Sequence, residues 1–254
     1  MLSLRNSIFT VCLLALPAMA ADPVLVVDRG LPVSNLNDAS GASRSNVRWG
    51  WHDHGFLGDD FTIGAPGEHW VIDSVRTWAV PGGAGATYSH LGDYFQDVRL
   101  HIGKGDVTPV STAQLTAGSD ESSNPNVRVT DAADSGALMY DDFGTPLHIW
   151  QIEFSNLSLS VEGGVKYRFG VWGNGRPVPG DADGKTFMWY NHASNAALSG
   201  SKQDGADGMM LLFDAAGRSE GTHNALGNGW DKTADINIQV FAHRVDGKPA
   251  TATK

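Results

Sequence analysis

Two stretches of this chain concentrate side chains that can do chemistry. Trp49–Asp60 (WGWHDHGFLGDD) carries Trp49, Trp51, His52, Asp53 and His54 among glycines, and Thr87–Phe95 (TYSHLGDYF) carries Tyr88, His90, Asp93 and Tyr94. A sugar ring offers an apolar C–H face and a rim of hydroxyls. Trp49, Trp51, Tyr88 and Tyr94 can stack on the face while His52, His90 and Asp93 bond the rim. The same groups can support acid–base work, with His52 or His90 as base and Asp93 or Tyr94 as partner. On an extended strand, residues two apart face the same way, so His52 and His54 could also share a transition metal with a third ligand such as His90 or His101. The competing reading is that the tryptophans cap a core and the histidines lie on the surface.

Aspartates give a second set. Asp181-x-Asp183-Gly184 and Asp204-Gly205-x-Asp207-Gly208 put carboxylates on glycine-rich turns, a pattern of hard oxygen donors that suits Ca²⁺. Neither segment completes an EF-hand, because no glutamate stands at the closing position of the loop, and Asp and Gly also build ordinary turns. Asp28 and Asp235 close the first and begin the last strand candidates. If those strands adjoin, the two carboxylates could share a cation; the alternative is two solvated strand ends.

Nucleophilic catalysis has little to stand on. There is no G-x-S-x-G elbow, and the single cysteine, Cys12, falls in the N-terminal apolar run. Glu153 could pair with one of many aspartates for glycoside hydrolysis, but spacing selects no pair.

The elements that must position these groups are strands. Leu157–Trp172 (LSLSVEGGVKYRFGVW) alternates apolar and polar residues on both sides of Gly163-Gly164, the pattern of an antiparallel hairpin with Tyr167 and Phe169 turned into a core. Further strands are expected at Pro23–Asp28, from Phe61, at His69–Val80 with a bulge, at Asp97–Ile102, Asn126–Thr130, His148–Phe154, Lys185–Asn191, Met209–Phe213 and Asp235–Val245. The rest reads as loop, including most of residues 104–147, which lack the apolar mass for a core of their own. About ten strands without a convincing helix predict an all-β, two-sheet antiparallel β-sandwich or jelly roll.

The ends and the composition narrow the function further. Arg5, the apolar run Ile8–Pro17 and the small residues Ala18 and Ala20 form a signal peptide over residues 1–20, with a mature start at Ala21. Residues 21–246 are then one domain and 247–254 a disordered tail, in a periplasmic or extracellular protein without thiols. The formal charge is −10, and removal of Arg5 makes it −11, which argues against a nucleic-acid backbone or an anionic membrane as partner. No membrane span and no organic cofactor are expected, and the protein reads as a monomer.

The residues Asp59-Asp60-Phe61-Thr62, Trp70-x-Ile72-x-x-Val75, Leu157-x-Leu159 and Gly163–Tyr167 resemble exported bacterial β-sandwich proteins, over about half of the mature chain. In architecture the chain is also similar to jelly-roll carbohydrate-binding modules. The first resemblance implies fold and export; the second implies calcium and sugar binding. Three functional readings follow: a secreted protein that binds carbohydrate or a related ligand with calcium-stabilised loops, an enzyme (lyase, hydrolase or cyclase) built on the His/Asp/Tyr loops, and a structural surface or matrix protein.

Overall fold

The computed structural model describes residues 22–31, 47–48, 50–51, 55–82, 88–131, 140–142, 145–192, 194, 204–224 and 235–245. These residues are all-β apart from a four-residue helical turn, α1 (Leu91–Tyr94). Their strands form two antiparallel sheets and a separate two-stranded ribbon.

The first sheet is built on β5 (His69–Gly82). Around it lie β1 (Val24–Asp28), β8 (Val127–Asp131), β11 (Trp150–Phe154) and β17 (Ile238–Arg244), in the order β1-β17-β5-β11-β8. Three shorter strands complete it: β12 (Leu159–Glu162) and β14 (Met188–Asn191) pair with β5, and β2 (Val47–Arg48) pairs with β14. The second sheet runs β16 (Ser219–Asn224), β15 (Met209–Asp214), β4 (Gly55–Thr62), β13 (Lys166–Trp172), β6 (Asp97–Gly103), β7 (Thr108–Gln114), with β3 (Gly50–Trp51) against β4. The ribbon is β9 (Tyr140–Asp142) with β10 (Thr145–Leu147).

Alternation along the strands fixes what each face carries. Val27, Val240, Val75, Phe154 and Val127 stand opposite one another across five strands of the first sheet, and all are buried. One residue along, the row reads Asp28, Gln239, Arg76, Glu153, Arg128. Its members bond sideways: Gln239 Nε2 donates to Asp28, and Arg76 donates to Gln239 Oε1 and to Glu153. A shift of one residue in any strand would put charge into the core, so this pair of rows pins the register. The second sheet contributes Leu57, Phe61, Leu100, Phe169 and Met210 to the same continuous apolar cluster as the valine row. Tyr167 and Phe169 are both buried, as the alternation predicts. The expected bulge in β5 is at Asp73, where the pairing with β17 passes from Ser74 to Ile72 while β17 advances by one residue.

Several expectations need correction. Leu157–Trp172 is not a hairpin. Its first half, β12, pairs with β5 in one sheet, and its second half, β13, pairs with β4 and β6 in the other. Gly163-Gly164 therefore carries the chain from sheet to sheet. It does so beside a second crossing, Ile63–Glu68, which links β4 to β5. The two crossings are bonded to each other by Gly163 N–H to Glu68 O and Gly164 N–H to Ile63 O. The expected loop Trp49–Asp60 is also different: from Gly55 on it is the first part of β4, an interior strand of its sheet. Residues 104–147, expected to hold one strand, contain β7, β8, β9 and β10. β16 likewise occupies what reads as loop, and the described residues alone hold seventeen strands where about ten are expected.

The paired crossings leave no room for side chains. A Cβ on Gly163 would lie 2.3 Å from the Ala65 carbonyl oxygen, and one on Gly164, whose φ is +72°, would lie 2.7 Å from Pro66. Gly163→Ala or Gly164→Ala should each cost about 2 kcal/mol or more. Gly105→Ala, at a position with open space around the Cβ, should stay within about 0.5 kcal/mol. Urea denaturation of the three variants measures the difference.

Candidate functional site

Arg29 directly follows β1 and is completely buried. A guanidinium cannot shed its charge, so burial demands that its donors all find acceptors. Nη1 donates to Asp59 Oδ2 at 2.7 Å and to Ile236 O at 3.5 Å. Nη2 donates to Asp60 O at 2.6 Å and Gly205 O at 3.3 Å, and Nε donates to Asp204 O at 3.1 Å. One side chain thus ties together β4, the turn at 204–208 and the entry to β17.

Asp59 is the counter-charge, also fully buried on β4. Its carboxylate accepts the Ile236 N–H at 2.8 Å and the Asp60 N–H at 2.7 Å as well as the guanidinium. Asp235, buried too, accepts the N–H groups of Asp207 (3.3 Å) and Gly208 (2.9 Å). Two carboxylates share one guanidinium here. Burial pushes Asp59 up to about 7, against the pull of Arg29 and with the help of the nearby Asp235 charge. Asp235 is raised for the same first reason, burial, again opposed by Arg29.

Over this buried cluster opens a cavity of about 270 Å³, lined by Val27, Asp60, Phe61, Thr62, Lys166, Asp204, Gly205 and Asp207. Asp204 is held by β1 in a reciprocal pair: Asp28 N–H donates to Asp204 Oδ2 at 3.0 Å, and Asp204 N–H donates to Asp28 O at 3.2 Å. Lys166, at the start of β13, reaches across to Asp60 Oδ2 at 2.9 Å and Asp207 Oδ2 at 3.6 Å. The hydrogen bond to Asp60 is the chief reason its ammonium is held above the usual lysine range. The wall therefore presents acceptors and a donor to the cavity, over apolar Val27 and Phe61.

The structure brings together Asp28, Asp204, Asp207 and Asp235, which the sequence divides between two possible cation sites. β1 and β17 do pair, as that reading requires. Among the described residues, no group of three or more His, Cys, Asp or Glu side chains is arranged to hold a metal ion. Asp181 and Asp183 are elsewhere. Asp181 Oδ1 accepts the N–H groups of Asp183 and Lys185, which, Lys185 first, hold its carboxyl below the usual range. The Lys185 ammonium lies 3.2 Å from Asp183.

The aromatic candidates divide. Trp49, His52, Asp53 and His54 lie outside the described residues, and of Trp51 only the backbone pairing with Gly55 in β3 is described. Tyr94 is buried in the main core, with its ring against Trp150 and Phe187 and its hydroxyl accepting the Tyr88 N–H at 2.6 Å. Tyr88 stands edge-on to Tyr94 and Phe187, half-buried. His90 is near Asp120 (3.4 Å), whose other oxygen accepts the Leu91 N–H; Asp93 accepts the Gly118 N–H. His101 is buried against Phe56, and burial lowers its pKa to about 4, so it is neutral near pH 7.

Sequence reasoning missed Arg29 and Lys166 as site residues and took Asp59 and Asp60 only as part of a motif of core and turns. The available signal was two adjacent aspartates, Asp59-Asp60, entering an apolar run, because a buried carboxylate requires a cation somewhere in the chain. The chain matches no protein-family model, and no curated protein or solved structure matches it.

Asp59 generates a pH prediction. Its folded-state pKa, about 7, stands above the unfolded value of 3.8, so the folded protein holds the proton more tightly. The resulting stabilisation is fully present below pH 3.8 and is lost as pH rises through about 7. The depressed His101 works the other way, losing stability as pH falls from 6.5 through about 4. The signature is therefore a difference. Between about pH 4 and 7, the melting temperature of the unsubstituted protein should fall relative to that of Asp59→Asn, whose curve lacks this component. Parallel curves would remove the assignment.

Proposed function

We propose that this chain is an exported β-sandwich protein that binds carbohydrate, with the cavity at Asp60, Lys166, Asp204 and Asp207 as its sugar site. The observation that carries the reading is the cavity itself. At about 270 Å³ it falls just below the ~300–1,000 Å³ of drug-sized ligand sites and suits a ligand of monosaccharide size. Carboxylate acceptors beside an ammonium donor suit hydroxyl groups, which both give and receive hydrogen bonds. The sandwich arrangement is supported by one core drawn from both sheets and by the two bonded crossings. Export is supported by the signal-like residues 1–20. Among the described residues no helix is long and apolar enough to cross a membrane.

A second reading, a structural surface or matrix protein, has a specific observation in its favour: Tyr94 packs inward and Tyr88 rests against it. A panel of monosaccharides titrated by calorimetry separates the two. The sugar reading expects saturable binding that Asp204→Ala weakens by roughly tenfold or more, the worth of a charged hydrogen bond. Absence of binding by the whole panel favours the structural protein.

Calcium stabilisation of the Asp-rich turn at 181–184 belongs to the same proposal. It expects the melting temperature to rise with millimolar CaCl₂ and fall with EDTA, because an ion bound only by the native state must raise stability. Coincident melts would leave that turn held by the Asp183 and Lys185 N–H groups and the Lys185 ammonium.

A further inference from the structure

We infer that the cavity selects a ligand bearing a primary ammonium, an amino sugar rather than a neutral one, whose charge takes the place of the Lys166 ammonium against Asp60. The inference deepens the carbohydrate reading and rests on it for the polyhydroxylated frame. Three acidic residues, Asp60, Asp204 and Asp207, line the cavity, with Lys166 as the cation among the lining residues. The excess of negative charge in a concave, partly apolar site attracts cations.

Asp60 decides where a cation would sit. Its side chain is only 10% exposed, and among the described residues Lys166 is its one ion partner. Among the described residues the carboxylate oxygens receive no hydrogen bond from the backbone; the Asp60 carbonyl, not the carboxylate, meets Arg29. A carboxylate so far withdrawn from water needs a positive charge beside it. Lys166 supplies one from a side chain that is 57% exposed. Because its own side chain is largely in water, Lys166 can turn its ammonium back to solvent once another cation takes its place beside Asp60. A ligand ammonium seated at the same point would satisfy Asp60 from inside the cavity, while Asp204, Asp207 and Thr62 accept from hydroxyls on the ligand's frame. The presence of a chain-borne ammonium at this position favours an amine over a divalent metal, whose charge Lys166 would oppose.

The test titrates the full chain with D-glucosamine, D-glucose, N-acetyl-D-glucosamine, n-butylammonium and CaCl₂ at low ionic strength and about pH 6, where the free amine is protonated. Calorimetry gives affinity, and amide shifts at Thr62 and Gly205 report the location. Glucosamine is expected to bind at least roughly tenfold tighter than glucose or the acetylated sugar. Asp60→Asn, which keeps the side-chain shape and whose folding is checked by its melt, should erase the preference. Lys166→Met, which removes the internal competitor, should strengthen glucosamine binding. Equal affinity for glucosamine and glucose overturns the inference and leaves the carbohydrate reading standing. Butylammonium binding that depends on Asp60, without binding of any sugar, overturns the amino-sugar inference and the carbohydrate reading together and leaves a site for simple amines. CaCl₂ shifting the same amides while amines do not overturns it in favour of a metal, and silence from all five probes overturns both readings.

Discussion

The Arg29 guanidinium is the constraint on which the rest of this structure depends. Its charge is permanent and its surroundings are dry, so the chain has to bring it acceptors. It receives the Asp59 carboxylate and the carbonyls of Asp60, Asp204, Gly205 and Ile236. Those residues come from β4, from the approach to β17 and from a long connection, and they converge because the cost of leaving a buried guanidinium short of partners is several kcal/mol. The cavity owes its walls to this requirement. Asp60 and Gly205 line the cavity with their carbonyls committed to Arg29 behind them.

The same cluster explains how an acidic protein tolerates carboxylates inside. Asp59 and Asp235 are both withdrawn from water, and both are raised chiefly by that withdrawal. Backbone N–H groups from Ile236, Asp207 and Gly208 complete their partners. The turn at 204–208 is thereby fixed at both ends, by Arg29 and Asp28 at Asp204 and by Asp235 at Gly208. A pocket wall made of turn residues acquires the rigidity of the sheets it leans on.

Faces were legible in the sequence; partners were not. Val98, Leu100 and Ile102, Tyr167 and Phe169, and Ile238 and Val240 all point inward as their alternation says. Alternation states which side of a strand is apolar and says nothing about which strand lies next to it. Leu157–Trp172 shows the difference, because Gly-Gly between alternating runs serves a hairpin and a sheet-to-sheet crossing equally well. What decides is Gly64–Gly67, far earlier in the chain, whose backbone occupies the space beside Gly163 and Gly164. β7 (TPVSTAQ) and β16 (SEGTHN) escaped notice because each lies at a sheet edge and needs little apolar surface. β4 escaped because Gly58-Asp59-Asp60 has the composition of a turn, and only Arg29, from another strand's end, makes it an interior strand. The site was legible by residue type alone. Asp28, Asp204, Asp207 and Asp235 stood out as carboxylates, whereas the chain's own cations that stand among them, Arg29 and Lys166, carry no local pattern.

The pairing of β1 with β17 joins nearly the whole length of the chain. Such a contact closes a loop running from Val27 to Val240, and its entropic cost falls before any reward. A chain that emerges N-terminus first from a ribosome holds β1 without its partner until β17 arrives. Completion of the first sheet is therefore a late, whole-chain event, and a molecule cut short before Ile238 cannot reach it.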